Sequence, residues 1–592
     1  MRAMTHAHCS RSCYRCDDSE PVFLVCCYAS SGEIDATAVA VRARFAPINH
    51  IDIGLTHIFL CNNVGALRRG RRWGRKRKGK MHDMHSFKTQ VEFQSGLVTG
   101  ELKPGNGLEA DADVTYRREI LLVTSLGAFM TPLDASIVSV ALPSIANRFR
   151  MGYAEVIWVP VAYLLCLATL LLTFGRLSDV RGRKPFFTAG FALFTASSAL
   201  CGLSQSAAML VFFRGAQGVG AAMIGATSAA IVTEVFPARM RGRALGFNAL
   251  AVYTGLSFGP TLSGVLVQSL GWSSIFYVNV PIGIVVTWIA AKRLKESSVI
   301  RRRGRHFDLL GAVSFTVGLS LVLLGLTLVG TIPFSSPLIL GTLIGGGCVL
   351  AVFLAIESRR KQTALLDLGM FRGNRLFAAA NVSALLNYTA YFAVPYFLSF
   401  YLQRVLSYSP LLTGLILFSM PLPMALLSPV SGWLSDRYGS RLFASLGMGL
   451  MCVSLFLLSQ ISASTSLVNI LVALIGLGVG MGLFSAPNTS SVMGSVDGQH
   501  LGAASGTLST MRFVGQALSL AILGALAATV IPPDVLATIF GGMGAGQVSS
   551  EVFLKGESLA FIAGAAFSFV GVLASLVRGK EKNEVENRVR LG

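Results

Sequence analysis

Charge is what this chain has least of. Only 13% of its 592 residues are Asp, Glu, Lys or Arg, whereas a soluble globular domain carries about a quarter. Acids are scarcer than bases, 29 against 50. No G-x4-G-K-[ST] phosphate loop occurs, so the chain lacks the nucleotide cradle of an ATP-driven pump. No stretch between its apolar runs is long enough for a folded soluble domain, and no nucleophile–base constellation stands out. An enzyme or a sensor therefore has nowhere to be built. Six of the ten cysteines fall in the first 112 residues. There Cys9, Cys13 and Cys16 with His6 and His8 lack a matching second pair, so no metal site and no cofactor is expected. No secretory signal pattern is evident.

What is present is oil. Apolar residues make up 53% of the chain, the mean hydropathy is +0.62, and the apolar residues fall in runs near the ~20 residues that cross a bilayer. Fourteen such runs are expected, at 119–142, 155–174, 185–203, 206–232, 243–268, 274–291, 309–329, 337–356, 376–402, 410–432, 441–459, 467–487, 500–529 and 558–577. They lack the alternation of barrel strands, so the fold class is an all-α polytopic membrane protein. Cys166, Cys201, Cys348 and Cys452 lie within these runs and read as small core residues. Residues 1–112 are a different text, with the basic run "RRGRRWGRKRKGK" at 68–80. They read as a disordered extension, or as sequence upstream of a start at Met81 or Met84.

Lys and Arg set the orientation. With Arg117 and Arg118 cytoplasmic, every second connection should be basic. These connections hold Arg176 and Arg181 to Lys184, Arg239 to Arg243, Lys292 to Arg305, Arg359 to Arg375, Arg437 with Arg441, and the tail from Arg578. The opposite connections hold only Arg148, Arg150, Arg404 and Lys555. Both termini are then cytoplasmic, and the net charge of +21 is a topology signal that needs no nucleic-acid partner.

One charged phrase occurs twice. "TFGRLSDVRGRKPFF" (173–187) and "SGWLSDRYGSRLFA" (431–444) align Gly175, Asp179, Gly182 and Lys184 with Gly432, Asp436, Gly439 and Arg441. "GVGAA" (218–222) faces "GVGMG" (478–482), "GRALG" (242–246) faces "GAASG" (502–506), and Gly255 falls on Gly515. Nearly constant offsets in one order argue for a duplication. The expected organisation is a six-helix bundle at 117–295, two inserted helices at 296–375, a second six-helix bundle at 376–577 and a tail at 578–592. Parallel halves of this kind are a transporter design with a site between them. In the turn, Gly175 and Gly182 would permit close approach and reversal. Asp179 would pair with Arg183, Lys184, or Arg239, Arg241 or Arg243, in a network that exists in one arrangement of the halves.

Two charges fall inside runs. Asp134, in "TPLDASIVSVALP", and Arg214, in "FFRGAQGVGAA", each lie about eight residues from the same end, roughly 12 Å deep at ~1.5 Å per residue. Charges there face a cavity or one another and serve transport or proton relay. A carboxyl balanced between burial and a neighbouring cation can trade its proton for cargo, so protons are the expected coupling ion. Arg512, in "STMRFVGQ", is a third buried charge, read evenly as a substrate anchor or a structural pair. With Arg512, Trp158, Tyr163, Tyr388, Tyr391 and Asn488 are candidates for lining a substrate cavity, joined by Phe392 and Tyr396. One acid near that cavity would suit lipophilic or cationic substrates.

"GRLSDVRGRKP" resembles the signature turn of the major facilitator superfamily. The resemblance implies that Asp179 and Arg183 act as a cytoplasmic latch for the outward-facing state. The second copy has Ser440 where the first has a basic residue, so that latch would be asymmetric. "TGLSFGPTLSGVL", with Gly255, Gly259, Pro260 and Gly264, resembles the motif that marks antiporters in this superfamily, apart from Ser263, where a second glycine is frequent. "LDASIVSVALP" and "RGAQGVGAA" resemble first-span and fourth-span motifs of the same group. Over 117–577 the chain is similar to the fourteen-span drug:proton antiporters. The resemblance implies proton-coupled export of amphipathic compounds across the inner (plasma) membrane, or export of one endogenous metabolite on the same fold; a monomer is expected.

Overall fold

The computed structural model describes residues 107–295, 308–329, 332–360, 365–366, 368–496, 501–531 and 547–578. The extension at 1–106, with its cysteines and basic run, lies outside them, as do the arginines at 301–305 and the tail from 579. The described residues all belong to the compact unit Gly105–Gly592.

The main helices are α1 Gly107–Phe149, α2 Trp158–Arg181, α3 Arg183–Gly202, α4 Ala207–Val235, α5 Ala238–Leu270, α6 Asn279–Arg293, α7 Leu309–Leu328 and α8 Pro337–Arg359. They continue as α9 Arg375–Tyr391, α10 Val394–Phe400, α11 Pro410–Phe418, α12 Pro421–Tyr438, α13 Ser440–Leu458, α14 Leu467–Gly494, α15 Leu501–Val530 and α16 Gln547–Leu576. Thirteen spans among the described residues are long and apolar enough to cross a membrane. The remaining expected run, 376–402, is broken into 17 residues of α9, 7 of α10 and a π-helical turn at Tyr401–Val405. The cause is Pro395, which has no N–H for the Tyr391 carbonyl and whose ring crowds it. Ser519 of α15 compensates at the break by accepting the Ala393 N–H at 3.0 Å.

The charged phrase forms a link of one residue. Gly182 joins α2 to α3 at φ 105°, and Gly439 joins α12 to α13 at φ 87°, a backbone region that side chains disfavour. Each glycine N–H donates to a serine carbonyl, Ser178 or Ser435, at 2.9 Å. Each of those serine hydroxyls donates one turn back, to Gly175 or Gly432, at 2.8 Å. Gly175 itself has open space around its α-carbon, so close helix approach is not its task.

Glycine contacts recur in the same way. A Cβ on Gly220 would lie 2.8 Å from the Gly190 carbonyl, and one on Gly480 would lie 2.6 Å from that of Gly447. Gly218 abuts the Tyr163 backbone and Gly478 that of Met420; Gly255 abuts Phe129 and Gly515 abuts Leu385. In a membrane, where apolar burial does not drive helices together, such backbone contact supplies dispersion and fixes register.

The α7–α8 hairpin is attached through α7, where the Thr316 hydroxyl donates to the Thr169 carbonyl of α2 at 3.4 Å. Only 17% of the apolar window of α8 is buried, and Cys348 is exposed on it. Of the four cysteines read as core, only Cys201 is fully buried.

The first six crossings meet the last six at the end opposite the charged turns. There the Tyr396 hydroxyl donates to the Ala135 carbonyl at 2.6 Å, Gln403 to Val140 at 3.0 Å and Arg404 to Pro143 at 2.9 Å. The Leu411 N–H donates to Gln268 at 3.2 Å. Gly264 of α5 lies against Pro410, and Gly414 of α11 lies 2.5 Å (as a built Cβ) from the Pro260 carbonyl.

Candidate functional site

Asp134 and Arg214 meet. Both are 0% exposed, and Arg214 Nη1 donates to Asp134 Oδ2 at 2.5 Å. Asp134 Oδ1 accepts from Gln217 Nε2 and from Asn279 Nδ2, each at 2.9 Å. Gln217 Oε1 accepts in turn from Arg214 Nη1 at 2.7 Å. Both amides also donate to the Ser198 hydroxyl, which donates to the Phe276 carbonyl. Arg214 is steadied by a bond from Nε to the Val159 carbonyl at 3.1 Å and by the Tyr163 ring, 4.4 Å from its Cζ. One carboxylate thus gathers α1, α3, α4 and α6. Charge-assisted hydrogen bonds of this kind are about twice as strong as neutral ones.

Tyr163 therefore serves the ion pair and does not face the cavity between the two groups of six crossings. Trp158 is partly buried in the apolar core nearby. The cavity is lined by Tyr391, Phe392, Pro395 and Tyr396 of the broken crossing, Ser136 of α1, Leu256 and Pro260 of α5, and Met420, Met424 and Met481. No charged side chain lines it. Tyr396 lines this cavity beside Ser136 of α1, and its hydroxyl donates to the carbonyl of Ala135, the residue next to Asp134.

Arg512 lies beyond Tyr391, toward the charged turns. Its Nη2 donates to the Thr489 hydroxyl at 2.6 Å, and its Cζ is 5.9 Å from the Tyr388 ring. The Tyr388 and Tyr391 rings are 5.5 Å apart. Asn488 is engaged elsewhere: its Oδ1 accepts from Arg578. Arg578, expected at the start of the cytoplasmic tail, is buried, at 1% exposed.

At the charged turn, Arg183 donates to Asp179 at 3.0 Å, to Glu234 at 3.2 Å and to the Ala230 carbonyl at 2.7 Å. The acid that joins α3 to α4 is thus Glu234. The expected partner Arg241 instead bonds the Phe236 carbonyl at 3.0 Å, and Lys184 lies in the first turn of α3, outside the pair. The Arg239 side chain is outside the described residues. In the second copy, Ser440 and Ser491 bond through their hydroxyls across the same 51-residue spacing as Arg183 and Glu234. Asp436 and Arg441 are exposed.

The motif glycines divide their work. Gly255 and Gly259 lie against Phe129 and Ser136 of α1, and Gly264 faces α11 in the other group of crossings. Several functional candidates escaped sequence reading. Gln217 and Asn279 are uncharged, and their only signal is an amide in an apolar run, one turn past Arg214 for Gln217. Glu557 of α16 is 0% exposed, and neither of its carboxyl oxygens has a hydrogen-bond partner.

A helical membrane protein with a buried ion pair and a cavity between two like groups of helices is a transporter. Residues 124–519 and 376–588 match the Major Facilitator Superfamily model. The chain is 33% identical over 402 residues to the riboflavin transporter RibZ of Clostridioides difficile, covering 68% of this chain and 86% of that protein. It is 35% identical over 411 residues to the multidrug resistance protein Stp of Mycobacterium tuberculosis, covering 69% and 75%. In fold it is similar to a bacterial homologue of the human lysosomal transporter Spinster, solved inward-facing and unoccupied, with a TM-score of 0.57, 15% identity and coverage of 78% and 97%. The chain belongs to the major facilitator superfamily, in its drug-efflux group, and is a transporter with no enzymatic role.

Proposed function

We propose that this chain is a proton-coupled antiporter that exports amphipathic, lipophilic organic compounds across the inner (plasma) membrane by alternating access, with both termini cytoplasmic. One observation carries the reading: a fully buried carboxylate, held by three side-chain donors from two other helices, one residue from a carbonyl that joins the two groups of crossings. Protonating Asp134 removes the charge around which Arg214, Gln217 and Asn279 are arranged. The freed donors loosen α1 against α4 and α6, and α1 carries the Ala135, Val140 and Pro143 carbonyls of the closed end. Proton binding and the opening of that end are thereby linked through one helix. At the other end, Arg183 with Asp179 and Glu234 forms a charged latch in the first group, while hydroxyls take that place in the second. An apolar cavity lining rich in methionine and aromatic side chains suits varied lipophilic cargo.

A second reading, export of one endogenous metabolite, is favoured by the likeness to a protein named for riboflavin alone. A panel of lipophilic dyes in everted vesicles tests both. The wild type should accumulate several dyes, and an uncoupler should abolish this; accumulation of a single dye favours the second reading. Asp134→Asn should lose proton-driven accumulation. It also strands Arg214, at a cost of about 3–5 kcal/mol, so Asp134→Asn with Arg214→Gln is the folding control. Undiminished accumulation in that double variant would remove Asp134 from the mechanism.

A further inference from the structure

The described acids leave the central cavity without a negative charge. Asp134 is consumed by three donors on the α1 side of Tyr396. Glu234, Asp308 and Glu119 pair near the charged end with Arg183, Arg360 and Arg293, and Glu557 is enclosed in the last crossing. Arg512 is the positive charge beside Tyr391 of the cavity wall, and its situation is the reverse of that of Arg214. No carboxylate lies within 4.0 Å of its guanidinium among the described residues. Its Nη2 bonds only a hydroxyl, Thr489, and its buried Nε bonds nothing. Its other neighbours are the phenols of Tyr253, Tyr388 and Tyr391. Tyr253 comes from α5 and meets the Ser485 hydroxyl of α14, so both groups of crossings contribute to this cluster.

A guanidinium inside the hydrocarbon layer is costly, and hydroxyls solvate it without neutralising it. Tyr391 lines the cavity, its ring is tilted against that of Tyr388 at 5.5 Å, and Arg512 Cζ lies 5.9 Å from the Tyr388 ring, so this pair of rings is all that the structure places between the Tyr391 side of the cavity and the guanidinium. We infer that Arg512, with the phenols of Tyr253 and Tyr388 and the Thr489 hydroxyl, is an anion subsite, and that the preferred cargo is a lipophilic organic acid: an aromatic ring system carrying a carboxylate or an ionised phenol. The inference rests on the export reading above for its physiological direction, but the subsite itself is a matter of binding.

Fluorescein and rhodamine 6G share a xanthene core and differ in sign of charge, which makes them suitable probes. With the purified full chain, fluorescence anisotropy should show fluorescein binding more tightly than rhodamine 6G. Arg512→Gln should weaken fluorescein by about tenfold or more and leave rhodamine 6G unchanged, while Arg512→Lys, which keeps the charge, retains most of the affinity. Tighter binding of rhodamine 6G to the wild type, or equal weakening of both probes by Arg512→Gln, overturns the subsite. Vesicle transport separates this from the export reading. Proton-driven movement of rhodamine 6G but not fluorescein keeps the export and overturns the anion subsite. Arg512-dependent binding of fluorescein, with neither probe moved, supports the subsite and overturns the export.

Discussion

Asp134 and Glu557 are both carboxyl side chains with no exposed surface, yet their surroundings are opposite. Asp134 is met by a guanidinium and two amides; Glu557 is met by none, and Gly556 beside it is packed on Ile531. A buried polar group without partners keeps its desolvation cost, about 1–3 kcal/mol. Glu557→Met, which preserves length and removes the polar oxygens, should therefore raise the thermal midpoint of the purified protein. A lowered midpoint would mean that the carboxyl is bonded in the state that dominates in solution. The sequence makes Asp134 and Arg214 conspicuous because charge is rare in apolar runs. It leaves Gln217 and Asn279 inconspicuous because amides are common, and which amide turns toward a carboxylate is decided by helix rotation. Glu557 is hidden for another reason: the uninterrupted apolar run begins only at residue 558, whereas α16 extends back to Gln547.

At the scale of helices, glycine spacing was the most legible feature, since only glycine permits the backbone contacts that recur along both groups of crossings. Its meaning varies with position. On α5, Gly255 faces the Phe129 carbonyl, while Gly246 has nothing within 4 Å. Gly255→Ala forces backbone apart and should cost about 1–3 kcal/mol; Gly246→Ala should be neutral or gain about 0.5–1 kcal/mol from reduced freedom of the unfolded chain. Thermal unfolding of the two variants measures the contrast, and equal effects would sink the claim that α5 is held on α1 by this contact. The break in the ninth crossing was not legible, because hydropathy runs through Pro395 without interruption. Only the missing N–H, and the Ser519 hydroxyl placed to meet Ala393, turn one run into two helices.

At the scale of the molecule, three of the hydrogen bonds that join the two groups of six crossings, those between α1 and the broken ninth crossing, are one-sided in chemistry. Tyr396, Gln403 and Arg404 all donate, and Ala135, Val140 and Pro143 all accept through main-chain oxygen. Gln403→Leu with Arg404→Leu should loosen this end. Spin labels at Asn147 and Ala463, exposed positions on opposite sides of the seam, should then report a population at longer distance. An unchanged distance distribution would place the fastening elsewhere. Because every peptide unit offers the same oxygen, whichever residue bears it, the α1 lip of this seam can change its side chains over evolutionary time without losing these three bonds. The other lip cannot: inherited variation that alters gating should concentrate at positions 396–404 and spare 135–143.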